Sequence, residues 1–266
     1  AGIAALLFRA ALTGADVFRN GLIAWAQGMP LLGWVFPVGF AVLGAALSVA
    51  MTRRYAPEAS GSGIPHLEAV LRRFRKLEWK RVLPVKFFGG LLAIGSGLAL
   101  GREGPTVQMG GAVGDAVSRW LKVSEKERLT LISAGAAAGL SAAFNAPLSG
   151  LMFVLEEVRR DFHPVVFGAA FLAAAIADII ARIGLGQFSV FAVPSYPLPP
   201  LSSLPIFAVV GIAAGGLGVL FNRGLLTAVT AFRRVPPRFV FPVVAATGGA
   251  AGLAGWFSPV MIGNGH

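Results

Sequence analysis

The sequence predicts an all-α, polytopic membrane protein that carries an internal duplication. Three observations lead there. Apolar residues make up 56% of the 266 positions and charged residues only 13%, about half the charged share of a soluble domain, and the mean hydropathy is +0.74. Long apolar stretches recur along the chain, without the short alternating segments of a membrane β-barrel. Short motifs from the first quarter of the chain reappear, in order, near the end.

The charge pattern supports a membrane rather than a nucleic acid as partner. The formal charge is +11, but the basic residues sit in short clusters between apolar runs: Arg53 with Arg54, residues 72–81, Arg159 with Arg160, and residues 233–238. That is how basic residues distribute on the cytoplasmic side of a membrane protein. With no cysteine and three scattered histidines (His66, His163, His266), neither a disulfide nor a metal cluster is expected. The first residue is Ala1, so a trimmed N-terminus is expected, and no signal-peptide pattern opens the chain.

Nine apolar segments follow one another, at roughly 1–26, 31–51, 84–100, 105–120, 129–144, 146–157, 164–183, 204–228 and 240–257. A full crossing needs about 20 residues. Several segments are shorter and are divided by Gly, Asn or Pro, as at 101–105 and 145–147. Interrupted segments of this kind build the ion sites of transporters, although packed loops would also produce them. The run RRFRKLEWKR, residues 72–81, reads as a cytoplasmic loop without chemistry.

The duplication rests on three matches. FRNGL at 18–22 recurs as FNRGL at 221–225, VFPV at 35–38 recurs at 240–243, and GSG at 61–63 is echoed by GNG at 263–265, with offsets of 203, 205 and 202. The link between the first two segments, QGMPLLG, has no Lys or Arg, whereas its counterpart FRRVPPR has three Arg. Basic links favour the cytoplasm, so the copies are expected to face opposite ways, as an inverted-topology repeat. Residues 1–203 then form the first repeat, and 204–266 supply the opening two helices of a second, truncated one. The parent chain is expected to be longer by well over a hundred residues.

Three stretches share a loop-to-helix grammar: GSGIP (61–65), GREGP (101–105) and FNAPLSG (144–150). Proline suits the first helical turn, glycine lets backbone approach a ligand, and a helix N-terminus attracts anions. Each alone is an ordinary helix start; several inside apolar segments suggest N-termini converging on one buried anion. Pro105 is expected to open one of these helices, with Glu103 at its start. Its carboxylate can take an anion's place among N–H donors and leave when protonated, so one residue would gate an anion path and carry a proton; a plain capping glutamate is the simpler reading. Arg102 is its ion-pair partner, or serves packing or surface contacts. Glu156 and Glu157 in LEEVRR (155–160) read by themselves as interfacial charges.

GSGIP, GREGP and the Glu pair after GLMFVL, with RYAPEASGSGIP, RVLPVKFFGG, LGREGPTVQMGG and AAAGLSAAFNAPLSG, resemble the CLC chloride channels and chloride/proton antiporters, in particular the bacterial antiporter branch. The resemblance covers essentially the whole chain and implies a CLC-type inverted repeat of discontinuous, tilted helices. It implies that Ser62 coordinates chloride through its hydroxyl, with Gly63, Ile64, Glu103 and Gly104 around the ion. Glu103 would be the gating glutamate. Glu157, beside Glu156, would be the internal proton-transfer residue, which favours exchange over a passive channel. Ser62 favours chloride, since members with Pro there prefer nitrate. The resemblance further implies no enzyme activity, no cofactor beyond chloride as substrate, a homodimer in the intact protein, and a bacterial inner-membrane location. The family's second-half anion-site residues lie beyond His266. His66, where bacterial relatives commonly carry an acid, reads as a cytoplasmic-side polar residue rather than a ligand. A phosphate-binding enzyme would rest on GSGLALGREG, but this stretch lacks the Gly-Lys-Ser/Thr ending of a P-loop.

Overall fold

A computed structural model describes residues 1–29, 31–186, 196 and 198–263. Among them are ten α-helices: α1 (Gly2–Gln27), α2 (Val35–Tyr55), α3 (Ile64–Leu71), α4 (Trp79–Gly95), α5 (Glu103–Leu121), α6 (Glu125–Phe144), α7 (Pro147–Phe153), α8 (Pro164–Leu185), α9 (Leu204–Arg233) and α10 (Val240–Phe257). No strand occurs among the described residues. The chain divides into two compact units, Ala1–Val190 with Val244–His266, and Phe191–Val243.

The first unit is built around α5 and α6, which are packed backbone to backbone. A Cβ on Gly110 would collide with the carbonyl of Gly135, one on Gly135 with the carbonyl of Gly110, and one on Gly139 with the carbonyl of Thr106. Small residues four apart let membrane helices approach this closely, where lipid supplies no hydrophobic drive for association. Around that pair, Leu67 and Val70 of α3, Val107 of α5, Ile132 of α6, Leu151 of α7 and Val166 of α8 form the main apolar core. The second unit is α9 with a short 3₁₀ turn at each end, and α9 buries no residue.

Among the described residues, four helical stretches are long and apolar enough to cross a membrane: Val35–Tyr55, Pro164–Leu185, Leu201–Arg233 and Pro237–Phe257. Others fall well short of a crossing, with eight residues in α3 and seven in α7. The breaks expected at 101–105 and 145–147 are present. Loop residues separate α4 from α5, and Asn145 ends α6 in a left-handed conformation (φ 54°) before Pro147 opens α7.

The boundaries differ from the sequence reading in three places. A tenth helix, α3, stands between the second and third apolar segments; its turns are too few to register as an apolar run. The run at 72–81 is not wholly a loop, because α4 starts at Trp79, with the carbonyl of Glu78 accepting from the N–H groups of Arg81 and Val82. The segment 146–157 is not one α-helix. After Phe153 the chain widens into a π-helical turn, Val154–Arg159. Of the GNG echo, Asn264 and Gly265 lie outside the described residues.

Candidate anion site

The loop into α3 is shaped by two glycines. Gly61 (φ 68°) and Gly63 (φ 86°) are left-handed, a region costly for residues with a Cβ. Gly63 caps α3 and Pro65 lies in its first turn. Ser62 therefore sits one residue before the cap. Its Oγ accepts from the N–H of Ile64 at 3.3 Å, which places the hydroxyl at the helix's N–H end.

Beneath this loop lies Lys86 of α4, 5% exposed. Its Nζ donates to the carbonyls of Ala59 (2.9 Å) and Gly61 (2.6 Å). No carboxylate pairs with it among the described residues. A buried cation without a counter-charge is costly, and an anion at the mouth of α3 would offset it. Sequence reading missed Lys86, because one lysine within RVLPVKFFGG gives no sign of where its amine ends. Gln108 was missed for a similar reason. It is fully buried on α5, its amide lies against Gly63, and Nε2 donates to the carbonyl of Glu58 at 3.0 Å. His66 is buried too, with Nδ1 3.2 Å from that same Nε2. It belongs to a polar network behind Gly63.

The GREGP stretch meets this loop directly. A Cβ on Gly104 would stand 2.5 Å from the carbonyl oxygen of Ser62 and 2.8 Å from its Cα, so the starts of α3 and α5 converge. Glu103, the first residue of α5, is exposed, and its carboxylate folds back over Gly101, where a Cβ would collide with it. Arg102 is buried and is not ion-paired with Glu103; its guanidinium lies 5.6 Å from the centre of the Phe144 ring. A cation over an aromatic face is held by the ring's quadrupole. Phe144 precedes Asn145, whose Oδ1 accepts from Arg9 at 3.0 Å. The three interrupted motifs are thus neighbours: GSGIP touches GREGP through Ser62 and Gly104, and GREGP touches FNAP through Arg102 and Phe144.

Glu156 and Glu157 lie on the π-helical turn, both exposed, while Val154, Leu155 and Val158 are buried. That turn packs against α3, so α3 is flanked by the element bearing Glu103 and by the element bearing Glu157. Among the described residues, the side chains of Glu103, Glu156 and Glu157 make no hydrogen bond or ion pair. π-Turns interrupt helices often at functional positions. No three metal-ligating side chains gather among the described residues.

Comparison with known proteins adds the following. A family described as "Voltage gated chloride channel" matches residues 43–266. The chain is 40% identical to the H(+)/Cl(-) exchange transporter ClcA of Cronobacter sakazakii, an alignment covering 100% of this chain and 58% of that protein. It is 45% identical to the H(+)/Cl(-) exchange transporter ClcA of Vibrio cholerae, covering 81% of this chain and 47% of that one. The crystal structure of a slow cyanobacterial Cl−/H+ antiporter superposes with a TM-score of 0.92 at 34% identity, over 99% of this chain and 62% of that chain. The chain spans about half the length of the curated relatives it matches.

Proposed function

Since the chain belongs to the voltage-gated chloride channel (CLC) family and is a multi-pass integral membrane protein, we propose that it supplies part of a secondary-active chloride/proton exchanger of a bacterial inner membrane. The observation that carries this is the meeting of two helix starts at Ser62 and Gly104, above a buried lysine with no carboxylate partner among the described residues. Helix N-termini and an uncompensated cation attract an anion. In this reading chloride lies against the Ser62 hydroxyl and the backbone at Gly63, Ile64 and Gly104. Glu103 competes with it as carboxylate and releases the path as acid. Glu157, with Glu156 beside it, passes protons to the opposite side. The relatives' names, which specify exchange, favour coupled transport over a passive channel of the same fold.

The same reading divides the chain into residues 1–203 and the opening of an inverted second repeat at 204–266. Supporting it, α2 is followed by a 3₁₀ turn at Pro57–Ala59 and a left-handed Gly61, and α10 by a 3₁₀ turn at Pro259–Met261 and a left-handed Gly263. A homodimer in the membrane completes the proposal.

The test uses the native polypeptide in sealed liposomes. Under a chloride gradient, external pH is recorded before and after adding a proton ionophore. Uphill proton movement that the ionophore collapses supports exchange. Chloride flux without it makes the protein a channel, and absence of chloride flux removes the proposal altogether.

A further inference from the structure

A basic surface lies where the end of α2 meets the start of α4. The two helices pack side by side, joined where Ser48 Oγ donates to the carbonyl of Gly89 at 2.8 Å. The end of α2 therefore stands next to the start of α4. Between them is a cavity of about 480 Å³ lined by Arg54, Tyr55, Lys80, Arg81, Pro84 and Val85. Half of this lining is cationic. Arg54, Lys80 and Arg81 are all exposed, and none forms an ion pair among the described residues. In this they resemble Arg53, Arg73, Arg75 and Arg160 of the first unit, exposed and without an ion pair among the described residues, and differ from Arg72 and Arg119, which meet Glu68 and Asp115.

The remaining lining has a different character. Pro84 and Val85 give the cavity an apolar wall continuous with α4. Tyr55 is exposed at its edge, and Trp79 stands at the head of α4 with the Lys80 amine 5.9 Å from its ring. Tyr and Trp concentrate at the level of lipid headgroups. Basic pockets between helices at that level bind anionic headgroups, and guanidinium forks match phosphate oxygens. Size argues against the transported ion as occupant, because a water-sized species needs only roughly 30 Å³.

We propose that this cavity binds the phosphate-bearing headgroup of an anionic phospholipid, with Arg54, Lys80 and Arg81 as its ligands and Pro84 and Val85 against the upper chain. The site does not depend on the exchange reading. Each cation contributes about fivefold to binding, so losing all three weakens it on the order of a hundredfold.

The experiment titrates the purified native polypeptide in neutral detergent with dioctanoyl phosphatidylglycerol, dioctanoyl phosphatidylcholine or inorganic phosphate, by calorimetry at constant ionic strength. Two variants are compared. One combines Arg54→Gln, Lys80→Gln and Arg81→Gln; the other, matched in charge, combines Arg73→Gln, Arg75→Gln and Lys76→Gln. Saturable binding of phosphatidylglycerol, absent with phosphatidylcholine, lost in the first variant and kept in the second, is the expected result. Equal loss in both variants would reduce the effect to diffuse surface charge and overturn the site. Inorganic phosphate binding as tightly as the lipid would make it a free-anion site instead, and competition by chloride at fixed ionic strength would make it an ion antechamber. Where either variant loses the native unfolding transition, the single Lys80→Gln and Lys76→Gln changes, both on exposed side chains, replace them with the same criteria.

Discussion

Gly104 and Ser62 are packed so closely that a single added methyl on Gly104 would enter the backbone of Ser62. This contact brings the first turn of α5 to the mouth of α3. It also explains a glycine at a helix start where conformation alone does not demand one. Gly104 has no positive φ; what excludes a side chain is the neighbouring chain.

Gly104→Ala is therefore expected to separate the two helix starts. Overpacking of this kind costs about 1–3 kcal/mol, enough to lower the unfolding midpoint without abolishing the fold. Chloride binding should fall more than tenfold, because both N-termini lose their common focus. Calorimetric chloride titration of the native polypeptide checks this. Unchanged affinity alongside a lowered midpoint would make the contact purely structural.

Glu103 and Glu157 lie on different elements that both pack against α3, and neither side chain makes a hydrogen bond or ion pair among the described residues. Replacing Glu103 with Gln removes the titrating group while keeping its shape. Anion flux should persist and proton movement should cease. Glu157→Gln should do the same to proton movement from the other side. Liposome pH recordings separate the outcomes, and a Glu157→Gln protein that still drives protons uphill would exclude it from the pathway.

Much of this arrangement was legible in the residues. Pro65, Pro105 and Pro147 each lie in a first helical turn, as their fixed φ requires, and the glycines around Ser62 adopt the conformations only glycine takes cheaply. What escaped was decided by distant packing. Lys86 is spaced like any lysine on a helix, and its burial depends on the Ala59–Gly61 loop folding over it. The π-turn at Val154–Arg159 has no composition of its own, and the α3 surface it packs against is distant in sequence. Arg102 left an ion pair with Glu103, packing or a surface contact open, and its position over Phe144, forty-two residues on, depends on the fold.

Gly101 offers a test of where the Glu103 carboxylate rests. Its missing Cβ is the space that the carboxylate fills, and the obstruction would be the far end of a flexible side chain. Gly101→Ala should leave stability within about 0.5 kcal/mol yet move the carboxylate off its position. The dependence of chloride flux on external pH should shift in consequence. A pH profile superimposable on the unmodified protein's would mean that the folded-back position has no part in gating.

The start of α6 gives a prediction on stability and pH outside the apolar segments. Ser124 and Glu127 form a capping box. The Glu127 carboxylate accepts from the Ser124 N–H at 2.8 Å and from its Oγ at 2.6 Å, and the Glu127 N–H donates back to that Oγ. The bonds from Ser124 hold the Glu127 carboxyl below the usual carboxylate range. A carboxyl whose folded-state pKa is depressed stabilises the fold fully above its unfolded value, about 4.3. That contribution is lost as pH falls through the lower folded value. Glu127→Ala should therefore lower the unfolding midpoint at neutral pH, and the gap from the unmodified protein should narrow below roughly pH 4. Ser124→Ala removes the hydroxyl that the Glu127 N–H uses whatever the pH, so its deficit should persist in acid. Thermal unfolding of the three proteins from pH 7 down to pH 3 distinguishes the two cases. A Glu127→Ala gap that stays constant over that range would mean the carboxylate contributes through its stem rather than its charge.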